Sequence, residues 1–207
     1  MSREAHVQFC ESLGVRIPGA THPVLGFQDK TEAERFWSEL KERMKKFDLE
    51  LHPEKTRLLE FGRYAAERRQ RRGEGRPETF NFLGLTHICG KTRNGRFTVI
   101  RQTIRKRMLA KLKAIRLELR RRMHDPLTEQ GQWLRAVVDG HIRYYGVPGN
   151  RPALWSFQIQ VARSWHRAMC RRSQKGYVPW ERMQRLLRRW MPPLRICHPY
   201  PSLRVPS

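Results

Sequence analysis

The chain has 207 residues, of which 39% are apolar and 30% charged, and a formal net charge of +24 at pH 7. Six Trp, nine Phe and five Tyr argue against an intrinsically disordered chain. No apolar run reaches the roughly 18–20 residues of a membrane span, and the N-terminal MSREAHVQF lacks the charged-then-apolar pattern of a secretion signal. The four cysteines form no CxxC pair, which disfavours a disulfide scaffold or a four-cysteine zinc site and predicts a reduced, cytoplasmic location.

The positive charge is concentrated in the second half of the chain. Residues 1–60 carry 10 Lys and Arg against 11 Asp and Glu, whereas residues 101–207 carry 24 against 5. Only four of these 24 basic residues are Lys. Arg favours planar recognition of phosphate and stacks on bases, so the bias favours nucleic acid over a membrane surface or another polyanion as the partner. Binding of this kind should weaken as salt is added.

The first third of the chain combines irregular, strand and helix patterns. Residues 1–23 show no clear period and predict an irregular lead, and residues 24–27 predict a short strand. An amphipathic helix is predicted over residues 32–47, where apolar residues recur at helical spacing. Those residues are Phe36, Leu40, Met44 and Phe47. Thr31 and Glu34 match a capping box at the start of this helix.

Short strands, a loop and a hairpin are predicted next. Residues 49–51 and 55–61 read as strands, and residues 63–77 read as a basic loop because Gly and Pro recur there. Residues 80–102 predict a hairpin, with the dipeptide Asn94-Gly95 as a two-residue turn.

From Thr103 onwards the pattern is helical. The first helix carries one continuous apolar stripe, formed by Ile104, Met108, Leu112, Ile115, Leu119 and Met123. A second helix is predicted with Leu134, Val138, Ile142 and Tyr145 on one side. Two further helices are predicted over residues 152–172 and 180–190, followed by an extended Pro-rich tail over residues 191–207. The helical spacing of several tryptophans favours burial in the core. These are Trp155, Trp165, Trp180 and Trp190.

Basic residues form rows beside the apolar stripes. Arg163, Arg167 and Arg171 repeat every four residues and share one helix face. Like charges at this spacing repel by a few tenths of a kcal/mol per pair, a cost that a bound polyanion would offset. The candidate nucleic-acid-binding residues are Arg105, Lys106, Lys113, Arg116, Arg120, Arg163, Arg167, Arg171, Arg182, Arg185 and Arg189. The ladder Arg135–Asp139–Arg143 is interpreted as structural because its charges can neutralise one another.

The sequence contains few groups of residues that could act together in catalysis. Its only aspartates are Asp29, Asp48, Asp125 and Asp139, and none is adjacent to another. Two-metal nucleotidyl transfer needs at least two carboxylates held around a metal pair with a separation of about 4 Å. The adjacent Cys197 and His198 are too few to hold a metal alone, and a nucleophile pair there rests on adjacency only. The sequence therefore predicts no catalytic residue, no metal site and no cofactor.

Several separated segments resemble the C-terminal part of bacterial group II intron reverse transcriptase/maturases. The segment VLGFQDKTEAERFWSELKERMKKFDLELHPEKTRLLEFG resembles the late palm, and FNFLGLTHICG resembles the following block, which shapes the primer grip. WLRAVVDGHIRYYGVPGN, WHRAMCRRSQKGYVPWERM and CHPYPSLR resemble the thumb, or maturase-specific domain X, and its tail. The resemblance covers residues 24–204 and keeps the order of the family.

The resemblance implies an α+β, mainly helical fold: a partial right-hand polymerase palm, with one helix, short antiparallel strands and a hairpin, followed by a helical thumb. The implied organisation is an unmatched lead at 1–23, a partial palm at 24–102, a thumb at 103–190 and a Pro-rich tail at 191–207. Phe82, Leu83 and Gly84 would form the primer-grip turn. Members of the family bind their own intron RNA, promote its splicing and copy RNA into DNA with Mg²⁺.

Two departures from the family pattern bear on activity. The fingers and first palm motifs would precede this chain. The positions matching the metal-binding Tyr-x-Asp-Asp motif are Gly19, Ala20, Thr21 and His22, so both of its aspartates are replaced. We therefore expect an RNA-binding C-terminal fragment, in which the primer-grip role is vestigial, that does not polymerise DNA alone.

Two alternatives stay open. The chain could be one half of a split reverse transcriptase that acts with a separately encoded fingers–palm chain, which a neighbouring reading frame ending in the Tyr-x-Asp-Asp block would favour. It could instead be a general basic protein that binds RNA or DNA, which equal affinity for intron RNA and unrelated RNA would favour.

Overall fold

The computed structural model describes residues 6–10, 24–51, 56–173 and 176–199, with backbone alone at 6–10. These residues form an α+β structure, as the sequence predicts. The strands are β1 (His6–Cys10), β2 (Val24–Phe27), β3 (Thr56–Glu60), β4 (Phe80–Phe82), β5 (Leu85–Lys91) and β6 (Phe97–Thr103). The helices are α1 (Lys30–Lys45), α2 (Ala65–Arg71), α3 (Arg105–Arg121), α4 (Leu127–Tyr145), α5 (Arg151–Cys170) and α6 (Trp180–Trp190).

The chain divides into two compact units. The first comprises Met1–Phe82 and His87–Val99, and the second comprises Leu83–Thr86 and Ile100–Ser207. The division falls within strands β5 and β6. Each unit has a hydrophobic core of its own.

The first unit contains a three-stranded sheet with the order β2-β1-β3. The central strand β1 is antiparallel to both neighbours, and His6 pairs with Phe27 on one side and Glu60 on the other. Strands β2 and β3 confirm the strands predicted near 24–27 and 55–61. Strand β1 lies within the stretch predicted as irregular, because a five-residue strand is ordered by partners distant in sequence and need not show a period of its own.

Helix α1 begins earlier than the capping-box pattern predicts. Its N-cap is Asp29, which makes no side-chain capping bond, and Thr31 already lies inside the helix. Exposed ion pairs one turn apart support the helix surface instead, such as Lys30 Nζ to Glu34 Oε1 at 3.3 Å. Phe47 lies beyond the helix with 66% of its surface exposed, so its predicted place on the apolar stripe is wrong.

The stretch predicted as a basic loop contains helix α2. Its sequence, AAERRQR, consists of strong helix formers, and their propensity outweighs the Gly and Pro signals that lie beyond the helix. Arg68 and Arg72 both pair with Glu60, and Arg72 also pairs with Glu74. The predicted strand at 49–51 is reduced to a single β-bridge at Leu51.

Strands β4, β5 and β6 form a second sheet in that order. The predicted turn between β5 and β6 is present but spans more than two residues. The Thr92 N–H donates to the Arg96 carbonyl at 2.7 Å, and the Gly95 N–H donates to the Thr92 carbonyl at 2.9 Å. Gly95 takes the left-handed conformation (φ +75°), so the loop is a three-residue turn closed by the Thr92–Arg96 pair. The first unit's core is small and centres on Leu59, Phe61 and Phe80.

Helices α3–α6 of the second unit enclose a larger core. The middle of the predicted α3 stripe is buried, with Leu112, Ile115 and Leu119 each at most 2% exposed. The other stripe residues, Ile104, Met108 and Met123, are only partly buried, and Ile104 and Met123 lie outside the helix. Trp165 is fully buried, as predicted, and its indole N–H donates to Gln130 Oε1 at 2.9 Å. Residues from the other helices complete this core: Leu134, Val138, Ile142, Phe157, Val161, Ala168, Met169 and Met183.

The described part of the Pro-rich tail, residues 191–199, is irregular but held against α4. The Cys197 N–H donates to the Gly146 carbonyl at 2.7 Å, and His198 donates its backbone N–H to the same carbonyl. Arg195 pairs with Asp139 at 2.9 Å. The rest of the tail lies outside the described residues. No helix in the described ranges is long and apolar enough to cross a membrane.

Candidate nucleic-acid interface

All eleven predicted binding residues have exposed side chains on or next to three helices of the second unit. Helix α3 carries Arg105, Lys106, Lys113, Arg116 and Arg120. Helix α5 carries Arg163 and Arg167, with Arg171 as its C-cap residue, and α6 carries Arg182, Arg185 and Arg189. Among the residues that the structure describes, none of the eleven forms an ion pair with a carboxylate. Their charge is therefore available to a polyanion.

One cation of the α3 row contacts helix α5. Arg116 Nε lies 3.4 Å from Ser164 Oγ, and that hydroxyl donates to the Gln160 carbonyl at 2.6 Å. The α3 row therefore includes a side chain that reaches the helix carrying the α5 row. Contact of the two rows with nucleic acid remains a prediction.

Other cations of this unit are neutralised. Glu118, the only carboxylate on α3, pairs with Arg122 at 2.7 Å and also with Arg121. Asp139 pairs with Arg143 at 2.7 Å, as the predicted ladder requires. Its second partner is Arg195 rather than the predicted Arg135, because the tail folds back onto α4. Ion pairing thus takes up cations beside the rows and leaves the rows themselves unpaired.

Exposed aromatic rings accompany the basic residues. Trp155 is 60% exposed and Trp180 is 41% exposed, so their predicted burial is wrong. Helical spacing alone does not distinguish a residue at the margin of a buried face from one inside it. Trp180 packs edge-on against His166 of α5 at 5.2 Å between ring centroids, and His166 directly precedes Arg167. An exposed indole therefore borders the α5 row, where a base could stack.

The predicted primer-grip residues form a tight turn between β4 and β5. Leu83 and Gly84 both have positive φ, at +47° and +77°, as the two central residues of a type I′ turn require. A leucine in this conformation is strained. The Tyr144 hydroxyl donates to the Leu83 carbonyl at 3.1 Å, and the Ile104 N–H donates to the Gly84 carbonyl at 3.0 Å. A Cβ at Gly84 would come within 2.8 Å of the Tyr145 hydroxyl, so only glycine fits there.

Two Cys–His pairs are structural rather than nucleophilic. Cys170 Sγ lies 3.6 Å from His166 Nε2, an i,i+4 pair that the sequence analysis missed. That nitrogen is also 2.8 Å from the Val178 carbonyl, to which it must donate its proton, so it cannot act as a base for the thiol. At the second pair, His198 Nε2 lies 2.9 Å from the Arg143 carbonyl and anchors the tail.

The described residues contain no group of three His, Cys, Asp or Glu side chains that could hold a metal ion. Burial raises the pKa of the Cys89 thiol, which makes it less reactive. Gly19, Ala20, Thr21 and His22, the positions matched to the Tyr-x-Asp-Asp motif, lie outside the described residues.

A cavity between α3 and α4 is a feature that the sequence analysis missed. It contains two cations from α3, Arg107 and Lys111, with His141 and Tyr145 from α4. Burial, reinforced by the charge of Lys111, lowers the pKa of His141 to about 4. The sequence signal was the i,i+4 spacing of each pair, but nothing in the sequence showed that the two pairs face one another.

No protein-family model, no curated protein sequence and no solved structure matches this chain. The class of molecule is therefore defined by the structure itself: an α+β protein with a helical unit that carries unpaired rows of arginine and lysine.

Proposed function

We propose that this chain is an RNA-binding protein of the group II intron reverse transcriptase/maturase type, corresponding to its late palm and thumb. The eleven cations of α3, α5 and α6 would hold the phosphate backbone of structured intron RNA. The resemblance of the separated segments supports the family and intron RNA as the partner. The unpaired rows support the location of the binding surface. Cytoplasmic location and the absence of unaided DNA synthesis belong to the same proposal.

The observation that carries this proposal is the selective absence of carboxylates from the rows. Glu118 and Asp139 pair with neighbouring arginines, yet no carboxylate of the described residues lies within ion-pair distance of the rows. A surface built only for solubility would intersperse both signs. Unpaired arginines in rows are instead suited to bidentate recognition of backbone phosphates.

Single-stranded or looped RNA is the form best suited to this surface. Trp180 presents an exposed indole beside the α5 row, and Tyr177 is 78% exposed nearby in the sequence. Sequence-specific RNA recognition commonly stacks unpaired bases on aromatic rings, whereas an intact duplex offers mainly its backbone.

The salt dependence of RNA binding tests the α5 row. Replacing Arg163, Arg167 and Arg171 together with Gln should make the slope of log Kobs against log [KCl] less negative by about 2–3 units, since each phosphate contact contributes roughly 0.7–0.9 to its magnitude. Affinity for a folded group II intron RNA and for an unrelated RNA of equal length would be measured by fluorescence anisotropy.

A triple variant in α1 provides the matched control. Arg43, Lys45 and Lys46 are also exposed and unpaired in the described structure, so changing them to Gln removes the same charge from the first unit. The slope should then stay unchanged. Equal losses in the two triple variants would contradict a localised surface, and equal affinity for both RNAs would favour the general nucleic-acid-binding alternative.

A further inference from the structure

The cavity between α3 and α4 lies entirely within the second unit and measures about 530 Å³. This volume falls in the roughly 300–1,000 Å³ range of small-ligand sites. Its lining comprises Arg107, Lys111, Ala136, Val137, Gly140, His141 and Tyr145. None of the eleven cations proposed above belongs to it, so it is a separate site.

The cavity is positively charged without compensation. Arg107 and Lys111 lie one helical turn apart on α3, and no carboxylate lines the cavity or pairs with either residue in the described structure. A cavity of the same volume in the first unit shows the opposite pattern. There the cations of α2 share the space with carboxylates, among them Glu60 and Glu74. The α3–α4 cavity therefore presents positive charge with no carboxylate in its lining.

Two polar groups of α4 are arranged beside these cations. Burial raises the pKa of the Tyr145 hydroxyl, and the neighbouring Arg107 guanidinium opposes that rise. His141 is only 7% exposed, and its Nε2 has no hydrogen-bond partner. Its ring stacks on Phe157 with 3.7 Å between centroids, which fixes its orientation. Buried polar atoms usually have a partner, so this nitrogen is an exception, and it lies beside a cationic cavity.

We propose that this cavity binds a phosphate group, with Arg107 and Lys111 supplying the charge and His141 and Tyr145 lining the site. The phosphate is either a backbone phosphate of RNA or a free phosphate or pyrophosphate ion. The first source rests on the proposed function, whereas binding of the ion does not.

Gly140 offers a way to block the cavity without disturbing the fold. It lines the cavity on an exposed face of α4, and a Cβ there would meet no atom within 4 Å. Gly140→Glu would place a carboxylate among the cations and compete with phosphate. Gly140→Gln has nearly the same size but no charge and serves as the matched control.

The ring resonances of His141 report directly on the cavity and are measured by NMR on the full-length protein. Adding inorganic phosphate or pyrophosphate should shift these resonances saturably and raise the pKa of His141, because a bound anion stabilises the imidazolium ion. KCl at matched ionic strength controls for screening of Lys111. The response should persist in Gly140→Gln and disappear in Gly140→Glu. A response no larger than that to KCl, or one unchanged in Gly140→Glu, would overturn the proposal.

RNA titrations distinguish the two sources. If the phosphate belongs to RNA, saturating RNA should reproduce the His141 shift. Lys111→Gln should then make the slope of log Kobs against log [KCl] for RNA binding less negative by about 1. If RNA leaves His141 unchanged while phosphate shifts it, the ligand is a free ion and the backbone assignment is wrong. Because the phosphate titration contains no RNA, it can fail or succeed independently of the proposed function.

Discussion

His141 shows how burial controls a single titrating side chain. Its ring lies between Phe157 and Tyr145, at 3.7 and 4.6 Å between centroids, and Lys111 adds a repelling charge. These surroundings disfavour the imidazolium ion and lower the pKa of His141 from 6.5 to about 4. At pH 7 the residue is therefore neutral in both the folded and the unfolded chain.

The pH dependence of stability follows from this difference. Below about pH 6.5 the unfolded chain takes up a proton at His141 that the folded chain does not, so stability falls as the pH decreases towards 4. With about 1.4 kcal/mol per pKa unit, the loss should amount to roughly 2–3 kcal/mol. His141→Phe keeps the aromatic stacking and removes the titration. Urea unfolding from pH 7 to pH 4 should show a smaller loss in this variant, and parallel curves for both proteins would contradict the assignment.

Leu83 illustrates backbone strain at one residue. It takes a left-handed conformation that favours glycine, asparagine or aspartate, and its side chain is 62% exposed. Neither burial nor conformational preference explains a leucine here. Its carbonyl is held by Tyr144, which keeps the turn in shape. The primer-grip role that the resemblance implies for this turn, expected to be vestigial, stays a prediction.

At the scale of elements, two glycines of α4 have opposite roles. Gly131 lies against the indole of Trp190 on α6, where a Cβ would come within 2.4 Å of Cδ2. Close approach of α4 and α6 therefore depends on the missing side chain. Gly140, on the same helix, faces open space.

Substituting alanine at each glycine tests this packing. Gly131→Ala should destabilise the protein by about 1–3 kcal/mol, because the indole must move, despite the gain in helix propensity. Gly140→Ala should stabilise it by up to about 1 kcal/mol. Chemical denaturation followed by tryptophan fluorescence measures both. No loss of stability in Gly131→Ala would contradict the close α4–α6 contact, and a loss in Gly140→Ala would contradict the open space at Gly140.

Some helices can be predicted from the sequence pattern alone, and others cannot. The buried middle of the α3 stripe and the bounds of α6 follow from periodicity, because the apolar residues of each helix recur on one face. The sequence pattern does not predict helix α2, because Gly and Pro beyond its end favour a loop although its seven residues are good helix formers. Trp155 was misplaced because spacing gives a helix face but not the edge of its buried sector.

At the scale of the whole molecule, stability should reside mainly in the second unit. Its core joins four helices, whereas the first unit buries a small cluster around Leu59, Phe61 and Phe80. Regions with few buried apolar contacts open at lower free energy. A binding surface on α3, α5 and α6 would accordingly rest on the more stable part of the chain.

We expect the protein alone not to extend a primer annealed to an RNA template. Two-metal catalysis needs clustered carboxylates; the described residues contain no such group, and Gly19–His22 include no acid. Incorporation of labelled nucleotides with Mg²⁺ or Mn²⁺ is the measurement, with heat-inactivated protein as the control. Synthesis by the chain alone would contradict the prediction. Synthesis only after adding a separate fingers–palm chain would favour the split-enzyme alternative.

The sequence by itself determined the distribution of charge, the helical second half and the rows of arginine on its helices, because these depend on local composition and on residues three or four apart. Only the tertiary structure decided which cations stay unpaired, which aromatic rings are exposed and where Arg107, Lys111 and His141 meet. Those features depend on residues distant in the sequence being brought together, and no local pattern records the distance between them.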